Sequence, residues 1–299
     1  MKANRKVKDS VFSLYFTEDT KRLIEVYNAL NGTNFPMDTP VEVNTLQDAL
    51  YKDRVNDVSF LLDDRFVVLL EHQSTINENM PLRMAIYLGR LYEKIFASEK
   101  YMYRTKKVEV PFPDFYVLYN GRQETPLEDV LWLSDSFRKP FPKKHADLPV
   151  TFVNIRNPDA DVPALQKSRS LREYSIFVNY VYAYQEKGFS LEDAIHQAVL
   201  ECKRLDVMQP FLTNHASEVE NMLFSEWSLD DAIRYAQEES RAEGREEGLT
   251  EGREEGRAEG KLETLKSFLG LLPDEVIAEK AEVPLSTIAE LRKTIPQET

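Results

Sequence analysis

Residues 54–74, RVNDVSFLLDDRFVVLLEHQS, constrain the fold of this chain more than any other stretch. Val58-Ser-Phe-Leu-Leu62 and Phe66-Val-Val-Leu-Leu70 are too short for helices and rich in β-branched and aromatic residues. Each therefore reads as a strand, the two joined by a tight turn at Asp63-Asp64-Arg65. The second strand runs without a break into Glu71-His72-Gln73. Side chains alternate along a strand, which puts Glu71 and Gln73 on one face, with Asp57 opposite them across the hairpin. A carboxylate at such a place is costly to bury without a charged partner, and a divalent metal is such a partner.

Mg²⁺ takes oxygen ligands and keeps several waters, so a site needs only one or two carboxylates, a carbonyl and a substrate phosphate. Asp57, Glu71 and the backbone carbonyl of His72 make up that set, with Gln73 placed to orient a water or touch the phosphate. The same spacing also fits plain solvated acids at the end of a strand.

Around the hairpin the pattern is that of an α/β chain. A short helix is expected from about Val7, with Val7, Val11, Leu14 and Tyr15 at helical spacing, and a second over residues 21–30, closed by Asn31-Gly32. Residues 41–46 alternate like a strand. Pro81 suits the first turn of a helix running to about Ser98, whose sheet-facing stripe reads as Leu82, Ala85, Ile86, Gly89, Leu91, Tyr92, Ile95 and Phe96. Strands follow at 115–119 and 150–155, and the stretch between them, with Pro140, Pro142 and Pro149, reads as loop. The expectation is a sheet with the hairpin at its centre. From 165 to 237 the chain reads as wholly helical, broken at Lys187-Gly188 and around Met208-Gln-Pro210.

Glycines at 244, 248, 252, 256 and 260 are separated by Arg-Glu-Glu or a variant of it. A step of four residues advances a helix by roughly 400°, so the glycines would form a slowly drifting stripe. Each costs roughly 1 kcal/mol against alanine. The repeat reads either as a marginal helix that needs another helix packed on its stripe, or as a charged linker. Beyond it, Pro273 and Pro284 each open a short helix, which makes a small packing or dimerising unit or a helix-turn-helix-like cap. Four regions are expected: an α/β core over 1–160, a helical region packed on it over 161–237, the repeat over 238–263 and a helical cap over 264–299.

The net charge of −13 argues against a generally basic nucleic-acid binder, although local fields and a bound cation decide whether DNA can approach. No apolar run nears the roughly 20 residues needed to span a bilayer, and the N-terminal segment lacks the apolar stretch of a signal peptide. The expected compartment is the cytoplasm, with no membrane partner. Cys202 is the single cysteine, which excludes an internal disulfide and a thiolate-rich zinc site. Its helical setting reads as a packed thiol.

Several short segments occur in a telling order: Asn56-Asp57-Val-Ser-Phe, Leu69-Leu70-Glu71-His72-Gln73-Ser74, Asn79-Met80-Pro81-Leu82-Arg83, Phe115-Tyr-Val-Leu-Tyr-Asn-Gly121 and the Gly-Arg-Glu-Glu tail. Together they resemble the recombination-promoting nucleases, a transposase-like family of the PD-(D/E)XK superfamily. The resemblance covers most of the chain. It implies a restriction-endonuclease-like α/β core, a central mixed sheet flanked by helices, with an all-helical C-terminal extension. It also implies a Mg²⁺-dependent DNA endonuclease, with Mn²⁺ as a substitute. Carried over by position, Asp57 matches the first acid, Glu71 the second, and Gln73 the place usually held by lysine. The chain departs from the superfamily pattern at Asn56, where proline is usual, and at Gln73, which lacks the lysine's charge.

Asp9, in a Lys-Asp-Ser-Val-Phe segment that also resembles the family's start, either completes the metal shell or caps the first helix. His72 reads as a packing histidine. Arg83 and Arg90 either meet DNA phosphate or pair with surface acids. The C-terminal helices suit a homo-oligomer. A second expectation, of another class, is a nuclease-like fold kept as a DNA-binding or self-association module.

Overall fold

In the computed structural model, which describes residues 10–44, 57–63, 66–96, 105–139 and 147–294, the two apolar runs form antiparallel strands β2 (Asp57–Leu62) and β3 (Phe66–Gln73). For Asp57, Glu71 and His72 the description is of the backbone. The turn residues Asp64 and Arg65, the start of the first helix before residue 10, and the expected ends of the strand at 45–46 and of the helix at 97–98 lie outside the described residues.

Strand β1 (Val41–Asn44) pairs antiparallel with β2. Helix α3 (Met80–Ile95) then carries the chain to β4 (Phe112–Tyr119), which lies parallel to β3, and β6 (Pro149–Asn154) lies parallel to β4. The edge strand β5 (Glu128–Trp132) pairs antiparallel with β6, giving one six-stranded mixed sheet in the order β1-β2-β3-β4-β6-β5. The α/β class read from the sequence is the class observed, and β3 is one of its two central strands.

The period-two rule sorts the sheet into two faces. Val58, Phe60 and Leu62 of β2 join Tyr116 and Leu118 of β4 and Val153 of β6 in the larger core. Helices α1 (Val11–Glu18), α2 (Thr20–Asn31), α5 (Arg169–Glu186) and α6 (Leu191–Arg204) pack into that core, as does the first part of α7 (Phe211–Phe268). The other face carries Leu61, Phe115, Val117, Tyr119, Val150 and Phe152, covered by Met80, Met84, Tyr87 and Leu91 of α3. Burying each such side chain contributes about 1.5–3 kcal/mol, so both layers hold the sheet.

Two expectations are corrected. Leu82 and Ile86 do not face the sheet; they are exposed, and the covering stripe is Met80, Met84, Tyr87 and Leu91. The helix is apolar on more than one side, and the stripe spaced four, three and four is the one that fits the sheet. Residues 128–132, read as loop, form β5: as an edge strand it is largely exposed and so lacks the apolar alternation that marks a strand.

Local chemistry sets the helix ends. Ser10 and Asp19 cap α1 and α2, accepting from the backbone N–H groups of Ser13 (3.0 Å) and Lys21 (3.1 Å). Gly32, at φ 65°, ends α2 in the left-handed conformation. The N-terminus of α5 receives a carboxylate from α2: Glu25 accepts from the Ser170 hydroxyl at 2.6 Å, and from the backbone N–H groups of Ser170 and Arg169. Helix α4 (Pro163–Lys167) leads into that same terminus.

The described chain divides into two compact units between Asp230 and Asp231. In the second unit the five repeat glycines lie within α7, and a β-carbon at any of them would meet nothing within 4 Å beyond its own helix backbone. Helices α8 (Asp274–Ala281) and α9 (Leu285–Thr294) form a small core with Leu265 around Ile277, Ala278, Ile288 and Leu291. Arg292 holds Asp274 there with bonds of 2.8–3.1 Å. No described helix is long and apolar enough to cross a membrane.

His215 ties α7 to α1. Its ring nitrogens meet Glu18 at 2.9 Å and Glu218 at 3.1 Å, and these two carboxylates raise its pKa above the ordinary histidine value. A folded pKa above the unfolded one stabilises fully below the unfolded value, and that stabilisation is lost as pH rises through the folded pKa. His215→Gln should therefore lower the melting temperature most at a pH below the ordinary histidine value, and the gap to the parent protein should narrow as pH rises. A gap that widened with pH in thermal melts would contradict this.

Candidate functional site

The hairpin register places the two acidic positions face to face. Asp57 and Glu71 are direct partners in the β2–β3 ladder. Opposed residues in an antiparallel pair have β-carbons about 4.5–5.5 Å apart, so positions 57 and 71 are neighbours on one face of the sheet. By alternation that face is the one carrying Leu61 and covered by α3. Glu71 stands beside Val117 of β4, and Gln73 beside Tyr119. His72 stands beside Leu118, at a position of β3 that alternates to the other face.

Gln73 is buried, and its Nε2 donates to the Sδ of Met80 at 2.8 Å. Its carbonyl accepts from the Asn120 N–H at 2.9 Å, which carries the β3–β4 ladder one step past the end of β4. Asn120 is fully buried, and its side-chain amide has no hydrogen-bond partner among the described residues. Leaving such a group unsatisfied costs roughly 1–3 kcal/mol. At Gly121 the strands approach so closely that a β-carbon would collide with the Ser74 carbonyl oxygen and lie 2.5 Å from the Tyr119 hydroxyl.

Arg83 belongs to this neighbourhood. Its Nη1 lies 3.4 Å from the Met80 Sδ that Gln73 also touches, and the Tyr87 hydroxyl accepts from Nε at 3.2 Å and from Nη2 at 2.7 Å. Arg90 is two turns further along α3, about 10 Å down its axis, and is not brought to Gln73. Asp9 lies outside the described residues, and the N-cap of α1 is Ser10. Sequence reasoning passed over Met80 and Tyr87. The signal that would have found them is Arg83 itself, a cation on the stripe between Met80, Met84 and Tyr87.

Carboxylates and a strand carbonyl are hard oxygen donors, the type that would suit Mg²⁺ or Mn²⁺ and not a metal that prefers sulfur. Among the described residues, no group of three or more His, Cys, Asp or Glu side chains converges as a metal cluster. Cys202 offers no alternative chemistry: burial pushes its thiol up to about 12, far from the thiolate a nucleophile needs. No family model matches the chain, and no curated protein or solved structure does.

Proposed function

We propose that the chain is a metal-dependent DNA endonuclease of the PD-(D/E)XK type, built on a restriction-endonuclease-like core. The observation that carries this reading is the direct cross-strand pairing of Asp57 with Glu71, with Gln73 two residues further along the same strand. A mixed sheet with helices on both faces is the kind of core that the resemblance implies.

Asp57 and Glu71, with the His72 carbonyl, would hold the divalent ion. When bound, the ion supplies Lewis-acid stabilisation of charge on the phosphate and acidifies the attacking water. The water oxygen would form the new bond to phosphorus as the bond to one ester oxygen breaks, with the water's proton passing to bulk solvent and the departing oxygen taking one from it. Gln73 is uncharged and takes no part in proton transfer. Its amide, held against Met80, orients the water or donates to a phosphate oxygen. With a net charge of −13, the chain depends on local cations to admit DNA. The helices of the second unit, whose glycine stripe is open, provide for self-association.

The test is plasmid nicking by the full chain with Mg²⁺ or Mn²⁺. The parent protein should nick, and Asp57→Ala should not, with its melting temperature within a few degrees of the parent. Cleavage that survives Asp57→Ala would reject the proposal. The missing charge at Gln73 favours a second reading, a nuclease-like fold serving as a DNA-binding or self-association module. DNA binding with no metal-dependent cleavage under any of these conditions would support that one.

A further inference from the structure

We infer that Arg83 supplies to the reacting phosphate the positive charge that Gln73 lacks, an inference that rests on the nuclease reading above. The first observation is where Arg83 stands. Met80, Met84 and Tyr87 are 0, 1 and 5% exposed, and Arg83 falls among them at helical spacing on the face that α3 turns to the sheet. Arg83 itself is partly buried there.

The second observation is how Arg83 is held. Nε and Nη2 both donate to the Tyr87 hydroxyl, one turn on, and the guanidinium carbon lies 5.6 Å from the centre of the Tyr87 ring. Two bonds to one oxygen fix the plane of the fork, so little rotational freedom is lost when it meets a phosphodiester.

The third is what lies next to it. Nη1 and the Gln73 amide converge on the same sulfur, at 3.4 and 2.8 Å. Gln73 is two residues from Glu71 on the same face of β3, and Glu71 is the ladder partner of Asp57. The cation thus sits beside the strand position where it is needed, but arrives from α3 instead of β3. A planar, permanently charged fork suits two non-bridging phosphate oxygens, and its charge meets the negative charge that builds on phosphate during hydrolysis. Arg83 donates hydrogen bonds and transfers no proton. Tyr87 is its positioning residue.

Steady-state cleavage of a labelled duplex by the full chain with Mn²⁺ tests this, alongside calorimetric Mn²⁺ binding. Arg83→Gln should lower kcat on the order of 10²–10³-fold, as loss of one oriented donor does elsewhere, with KM within about threefold and Mn²⁺ binding kept. Arg83→Lys should retain more than about a tenth of the parent's kcat, because it keeps the charge and loses the fork. Adding Gln73→Lys to Arg83→Gln should recover at least about tenfold, since the charge then returns from the strand. Tyr87→Phe should fall between Arg83→Lys and Arg83→Gln. Parent-like kcat in Arg83→Gln, or an effect confined to KM, would overturn the inference while leaving Asp57-dependent cleavage, and the nuclease reading, in place. Absence of any Asp57-dependent cleavage would overturn both.

Discussion

Asp57→Asn and Glu71→Gln should each cut metal-dependent cleavage on the order of 10³-fold or more, and the double variant should be no slower than either single one. Groups that hold one ion act as a unit, so the first removal already forfeits what the second would. Mn²⁺ calorimetry should show the same pattern, with binding lost in all three.

The pair makes a second, independent expectation that does not depend on cleavage. Like charges directly opposite in a ladder are destabilising, by roughly 0.2–1 kcal/mol. Without metal, each amide variant should therefore melt slightly higher than the parent protein, and added Mn²⁺ should stabilise only the parent. Amide variants that melt lower without metal, and cleavage losses that add, would together show that 57 and 71 are structural positions. The opposed outcomes for stability and activity are what is expected where a fold keeps an unfavourable pair for its chemistry.

The second large effect lies at Gly121. A β-carbon there meets the Tyr119 ring and also the Ser74 backbone carbonyl, which cannot yield as a side-chain tip can, so the carboxyl ends of β3 and β4 must separate to admit it. Overpacking of this kind costs about 1–3 kcal/mol. In a unit of this size that is a fall in melting temperature of about 2–12 °C. The shift reaches Gln73, whose carbonyl is bonded to Asn120 next door, so Gly121→Ala should also lower cleavage on the nuclease reading.

Gly89 in α3 is the control. A β-carbon there meets nothing within 4 Å, and alanine in place of a helical glycine should stabilise by up to about 1 kcal/mol. Thermal melts of the two variants should move in opposite directions. A Gly121→Ala protein as stable as the parent would show that the strand ends are free to part.

Most of the strands legible in the sequence carry apolar runs, while β1 was legible from its alternation. Phe66–Gln73 and Phe112–Tyr119 are the two central strands of the sheet, and each carries a run of apolar residues that no loop would carry. Strand β5 was not legible because its exposed residues, Glu128 and Asp129 among them, resemble loop. The face of α3 was misread for a related reason: Leu82 and Ile86 are as apolar as Met84 and Leu91, and only the fit to the sheet chooses between them.

At the site, the opposition of positions 57 and 71 was open to period-two counting, since a tight hairpin leaves little freedom of register. The meeting of Gln73 with Arg83 was not. They touch through Met80, at the junction of a loop and a helix, and no spacing rule relates the end of a strand to a turn of the helix after it.

The two edges of the sheet bear on how copies of this chain can meet. Strands β1 and β5 are four and five residues long, against eight for β3 and β4, and their exposed residues include Glu42, Glu128 and Asp129. Were a second copy to pair in parallel and in register across β5, the new ladder would set Glu128 against Glu128 and Asp129 against Asp129 along a short run of backbone hydrogen bonds. Such an edge repels its own kind. Short edges that carry such charges disfavour an in-register stack of sheets.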